Sequence, residues 1–120
     1  MKMAVLTALA ALGFAGSALA EDCVRPSPPA TVDGATVTME QLMAAKKETA
    51  DFMTASDTFQ SCVISDLTAQ REAAKAAKTK FDKNIAKAAD AKISENQADK
   101  VSVGQAFNSA VRAYKAAHPG

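Results

Sequence analysis

A chain of 120 residues with formal net charge +1, 28 alanines, five phenylalanines, one tyrosine and no tryptophan holds at most one small domain, which excludes a multidomain enzyme. Between Glu21 and Gly120 only 20 large apolar side chains (Val, Ile, Leu, Met, Phe, Tyr) are present, too few for a wide globular core. The single histidine, His118, stands next to the C-terminal Pro-Gly, and the two cysteines, Cys23 and Cys62, are far apart, so the usual ingredients of a metal or nucleophile site are missing.

The N-terminus reads as an export signal. Lys2 precedes an apolar stretch from Ala4 to Phe14, and small residues follow, ending in Ala18-Leu19-Ala20. A signal peptidase requires this A-x-A ending because its pocket admits only small side chains, so residues 1–20 are expected to be removed before Glu21. An uncleaved membrane anchor is the competing reading, since Met3 to Ala20 just reaches the lower limit for a span. Gly13, Gly16 and the A-x-A ending favour cleavage over that anchor. Export to the periplasm puts the mature chain in an oxidising compartment. There the two cysteines are expected to pair, closing a loop worth roughly 4 kcal/mol in the chain-entropy model. Two free thiols or an intermolecular bridge are the alternatives, and no C-x-x-C suggests a redox-active pair.

Residues 21–38 form an extended arm. Pro26, Pro28 and Pro29 fix φ and remove backbone donors, favouring a polyproline-like course, and Asp33-Gly34 reads as a turn. Thr38-Met39-Glu40-Gln41 is a capping box that starts a helix at Met39. From Ala35 to Val103 the chain has neither glycine nor proline, and one helix of that length would extend roughly 100 Å. Leu42, Ala45, Thr49, Phe52, Ser56, Phe59, Val63 and Leu67 recur three or four apart and form one apolar face, flanked by Met43, Met53 and Cys62. Counting back from the end, Tyr114, Val111, Phe107, Val103, Lys100, Gln97, Ile93, Ala89, Ile85 and Phe81 repeat the pattern. Both series fade around Lys78-Thr79-Lys80.

The expectation is therefore an all-α fold. Residues 39–120 would form a long antiparallel two-helix hairpin with helices over 39–76 and 80–117, and the Pro-rich arm would be tied back by the disulfide. Ser65 to Thr68 and Ser94 to Gln97 are the competing helix boundaries. In such a hairpin Phe52 lies level with Gly104, a packing reason for a glycine inside a helix; a kink or third-helix boundary at Gly104 is the alternative. From Met39 to Cys62 is about 35 Å of helix. The 15 steps from Cys23 to Thr38 cover ~45–50 Å when extended, so the arm can run back along the first helix and reach Cys62. Residues 21–70 carry net −5 and residues 71–120 net +5, which suits an acidic helix lying against a basic one.

Chemistry is sparse. There is no phosphate loop, dinucleotide fingerprint, H-E-x-x-H or calcium-loop pattern, and carboxylates such as Glu48 and Asp51 read as solvated faces. No cofactor, metal or catalytic residue is expected. His118 reads as part of a frayed tail. Met39, Met43 and Met53 read as core residues of the first helix, or else as an adaptable groove for unfolded chains or an apolar ligand. The basic stretch Arg71, Lys75, Lys78, Lys80, Lys83 and Lys87, arranged as two helical rows, is a candidate contact for anionic lipid head groups or lipopolysaccharide phosphate; an alanine-lysine-rich solvated turn is the plainer reading. Nucleic acid is disfavoured by export and by the neutral mature chain.

Cys23, the Pro26-Ser27-Pro28-Pro29 arm, Asp33-Gly34, Thr38, Phe59-Gln60-Ser61-Cys62, Phe107-Asn108 and Arg112-Ala113-Tyr114 together resemble small exported helical proteins of proteobacteria. The resemblance covers most of the mature chain. It implies a helical hairpin with the same disulfide and carries no activity with it; residues 70–100 are richer in lysine and alanine than that pattern. The expected function is a non-enzymatic periplasmic module, protein-binding or envelope-associated. A chaperone-like or anionic-surface binder using the lysine-rich stretch is the alternative. The expected partner is another protein or a second copy, since a dimer would bury the apolar stripe that a two-helix hairpin leaves exposed.

Overall fold

A computed structural model describes residues 23–120; the expected signal peptide over residues 1–20 and its cleavage point before Glu21 lie outside the described residues. Two helices, α1 (Met39–Ala76) and α2 (Lys83–Ala117), pack against each other as an antiparallel hairpin, and residues 23–38 precede them as an extended arm with one turn.

Helix α1 begins where its capping box places it. The Gln41 backbone N–H donates to the Thr38 hydroxyl at 3.1 Å, and the Thr38 N–H donates to Gln41 Oε1 at 2.9 Å. It ends without glycine. Lys78 takes the left-handed conformation with φ 54°, its N–H donates to the Lys75 carbonyl at 3.1 Å, and the Thr79 N–H donates to the Ala74 carbonyl at 2.9 Å. This pair of bonds is a Schellman closure with lysine in the position that glycine usually fills. Helix α2 starts three residues later than the apolar series suggests, because the Asp82 carboxylate accepts from the Asn84 N–H at 2.9 Å and caps the helix there. Lys80 and Phe81 consequently belong to the connection. At the far end the His118 N–H donates to the Tyr114 carbonyl at 3.0 Å and its ring stacks on Tyr114, so this residue closes α2 instead of fraying.

The interior follows the spacing on α1, where Leu42, Ala45, Phe52, Ser56, Phe59 and Val63 are buried. On α2 the buried residues are Ala89, Asn96, Val103 and Ala110, each seven positions from the next. That line is rotated from the expected face: Gln97 is exposed and Asn96 takes the interior position. Ser56 and Asn96 are both 0% exposed and bond to each other, Asn96 Nδ2 donating to Ser56 Oγ at 3.1 Å. Gln60 Nε2 completes the group by donating to Asn96 Oδ1 at 2.9 Å. A satisfied polar contact inside an apolar seam has a partner in only one alignment, so sliding one helix along the other would strand it at a cost of about 1–3 kcal/mol.

The arm crosses both helices. Cys23 and Cys62 are joined by a disulfide with Cα atoms 5.6 Å apart. Two residues on, Arg25 reaches α2, donating to Asp99 Oδ2 at 2.8 and 3.2 Å and to Glu95 Oε2 at 2.9 Å. At the other end of the arm, Asp33 organises the turn by accepting from the N–H groups of Ala35, Thr36 and Val37. Gly34 rests on α2: a Cβ there would overlap the Ala110 carbonyl oxygen and lie 2.6 Å from its carbonyl carbon. The arm is thus a strap over the groove between α1 and α2, covering the half of the hairpin that runs from Cys62 to the open end, where α1 begins and α2 ends.

Three other expectations change. Gly104 faces the flexible tip of Met53, 3.7 Å from where a Cβ would stand, so α2 continues through it and no large side chain demands the glycine. Met39 and Met43 are about half exposed at 53% and 52%, outside the core. Direct pairing between the acidic and basic halves is sparse: among the described residues one ion pair, Lys100–Asp57, joins the two helices.

Candidate functional site at the basic end of the hairpin

The six candidate cations gather at the closed end of the hairpin. Arg71 and Lys75 lie one turn apart on the last turns of α1, Lys78 and Lys80 in the connection, and Lys83 and Lys87 one turn apart at the start of α2. The two helical rows of three are therefore shorter than expected, because Lys78 and Lys80 leave the helices. All six side chains are exposed, and none is in an ion pair among the described residues.

The local charge is asymmetric. Residues 66–92 contain seven bases and four acids, net +3, while the rest of the described chain, 23–65 and 93–120, contains six bases and seven acids, net −1. Two of the four acids at the tip are engaged in local structure, Asp66 accepting from Gln70 at 2.7 Å and Asp82 capping α2. The Asp82 carboxylate sits at the positive end of the α2 dipole, so the field at the tip comes from the basic side chains. Lys75 sits favourably in the last turn of α1.

Phe81 anchors the connection. It is half-buried, and the Arg71 guanidinium carbon lies 5.3 Å from its ring centre, a cation–π contact that leaves the other face of the guanidinium open. The lysines around it have no such anchor.

By contrast, Arg25 and Lys47 in the strapped half are held in ion pairs. Arg25 is pushed up from its ordinary value, first by its hydrogen bond to Asp99 and further by the negative charges of Asp99 and Glu95. A raised folded-state value contributes stability that is complete below the unfolded value and is lost only in strong alkali. The Arg25 clamp is thus intact across the neutral range. Lys47 is shifted in the same direction by its hydrogen bond to Asp51 one turn along α1.

The basic end can attract and hold anions by Coulomb forces over about 8 Å at physiological ionic strength. It offers no histidine, cysteine or enclosed carboxylate for proton transfer. Among the described residues no group of three or more His, Cys, Asp or Glu could hold a metal ion, both cysteines are in the disulfide, and no helix is long and apolar enough to cross a membrane. Sequence reasoning placed Gly34 in its turn but missed its seat on α2, and it missed Asn96, Arg25 and Asp82. The seven-residue spacing of 89, 96, 103 and 110 and the Asp82-x-Asn84 cap signal were the readable traces of two of them. Comparison with protein-family models, curated proteins and solved structures finds no match for this chain.

Proposed function

We propose that this protein acts after export, in the periplasm, as a non-enzymatic envelope-associated module: a strapped hairpin that holds its basic end toward an anionic surface of lipid or lipopolysaccharide phosphate. The observation that carries this reading is the clustering of six exposed, unpaired cations at one end, with net +3 there against −1 over the rest of the described chain. Each lysine near such a surface contributes about 1 kcal/mol, so several must act together. The strap supplies stiffness to the opposite half and leaves the basic end uncovered.

The test is co-sedimentation with anionic vesicles at low and physiological salt. The native protein is expected to bind weakly and to dissociate as salt rises. Lys78, Lys80, Lys83 and Lys87 replaced together by Gln should abolish binding and leave helix content unchanged. Equal binding of the native protein and the quadruple variant at low salt would discard this reading and favour a protein partner or a second copy, docked on the exposed side chains of Met39, Met43, Ile64 and Val101.

A further inference from the structure

The strap encloses more than it touches. Between it and the helices lies a half-open cavity of about 150 Å³, far from the basic end and lined by Pro29, Val32, Ala45, Val103, Ala106 and Phe107, with no charged residue anywhere on its wall. In a chain that is 22% charged, a wall formed from three elements without one charge selects against ions. Three hydroxyls, from Thr31, Thr49 and Ser102, are its side-chain polar groups. None of them donates or accepts a hydrogen bond within the described chain.

The part of the strap above the cavity is hydrogen-bonded only at its ends, though Pro26, Pro29 and Val32 are half-buried. No residue from 26 to 32 hydrogen-bonds to another described residue, whereas Arg25 and Asp33 on either side are both engaged. Pro26, Pro28 and Pro29 have no N–H to leave unpaired, so this span loses little by standing off the helices. A largely apolar cavity of this size accommodates one benzene-sized molecule.

We infer that the space beneath the strap is a binding site for one small uncharged apolar molecule of the size of a substituted benzene, with the hydroxyls of Thr49 and Ser102 available to a single polar substituent. The strap is its lid, and the Cys23–Cys62 disulfide holds the lid shut. The site is independent of the basic end.

Toluene is the probe. Titrated into the oxidised protein and followed by the methyl resonances of Val32 and Val103, it is expected to give saturable shifts confined to residues around the cavity. Ala106→Leu, which fills the space, should weaken binding at least tenfold with helix content preserved; if that variant fails to fold, Ala45→Val serves with the same reading. Reduction of the disulfide should also weaken binding at least tenfold, because the lid loses its tether. The quadruple lysine variant should bind toluene like the native protein, which separates this site from the surface reading. Absence of saturable shifts, shifts centred on exposed Met39 and Met43, undiminished binding in a folded cavity-filling variant, or undiminished binding after reduction would overturn the inference.

Discussion

The two halves of the hairpin are made from the same kind of helix and are stabilised differently. In the half toward the open end, where α1 begins and α2 ends, a third layer lies over the helices, fixed by a disulfide at Cys62, a two-carboxylate clamp on Arg25 and the seating of Gly34 on Ala110. Among the described residues no third layer lies between Cys62 and the connection. Phe59, Val63 and Ala89, with Leu67 and Ile93 beside them, form the last apolar cluster before alanine and lysine take over. A thin hairpin therefore concentrates its covalent and steric constraints in one half and leaves its charge in the other. The half that carries net charge repels itself modestly and gains least from packing, which suits a contact surface.

Substitutions that remove the third layer should have the largest effects and should strike only the strapped half. Replacing Cys23 and Cys62 together by Ser opens a loop with a sequence separation of 39, for which chain entropy predicts a loss of about 4 kcal/mol; urea unfolding of the oxidised protein and the double variant measures it. Gly34→Ala comes next. Its Cβ has no room against the Ala110 backbone, so the turn must lift, at about 3 kcal/mol, the upper end of ordinary overpacking costs. A loss below 0.5 kcal/mol would mean that the strap does not sit on α2.

A smaller effect is expected at the alignment device between the halves. Asn96→Ala leaves the Ser56 hydroxyl and one Gln60 hydrogen-bond partner unmatched, at a cost of about 2 kcal/mol. Ser56→Ala combined with Asn96→Leu should recover much of that stability, and cysteine crosslinking between facing positions would show whether the recovered protein holds one alignment. The smallest effect has the opposite sign. Gly104→Ala places a methyl at ordinary contact distance from Met53 inside a continuous helix, so thermal unfolding should show a gain of ~0.5–1 kcal/mol. A loss would reveal a packing demand at Gly104.

The strapped half was largely legible before the structure. The capping box at Thr38, the apolar spacing from Leu42 to Leu67 and the reach of the arm to Cys62 depend on local chemistry and on length, which a sequence carries openly. What stayed hidden depends on the third dimension. Asn96 is buried because Ser56 and Gln60 face it from the other helix, and a hydropathy pattern assigns a polar residue to the outside. Arg25 and Gly34 gain their roles from where the strap crosses α2, which neither residue encodes alone. In the other half the cluster of cations was legible as composition and the turn at Lys78–Lys80 from the fading of both apolar series, but the backbone that makes the turn was not. The chain turns at Lys78 in a left-handed conformation that costs a side chain about 1–2 kcal/mol, so no glycine or proline marked the place. Asp82, set among the lysines, is the cap that starts α2.

The division between a constrained half and an open half is tested most directly by native-state hydrogen exchange of the oxidised and reduced protein, followed residue by residue. The account predicts that amides of residues 42–62 and 96–113 are better protected than those of 66–76 and 85–92 when the disulfide is intact. Reduction should lower protection mainly in the first set and bring the two halves close together. Equal protection of both halves in the oxidised protein, or an equal loss in both on reduction, would contradict it.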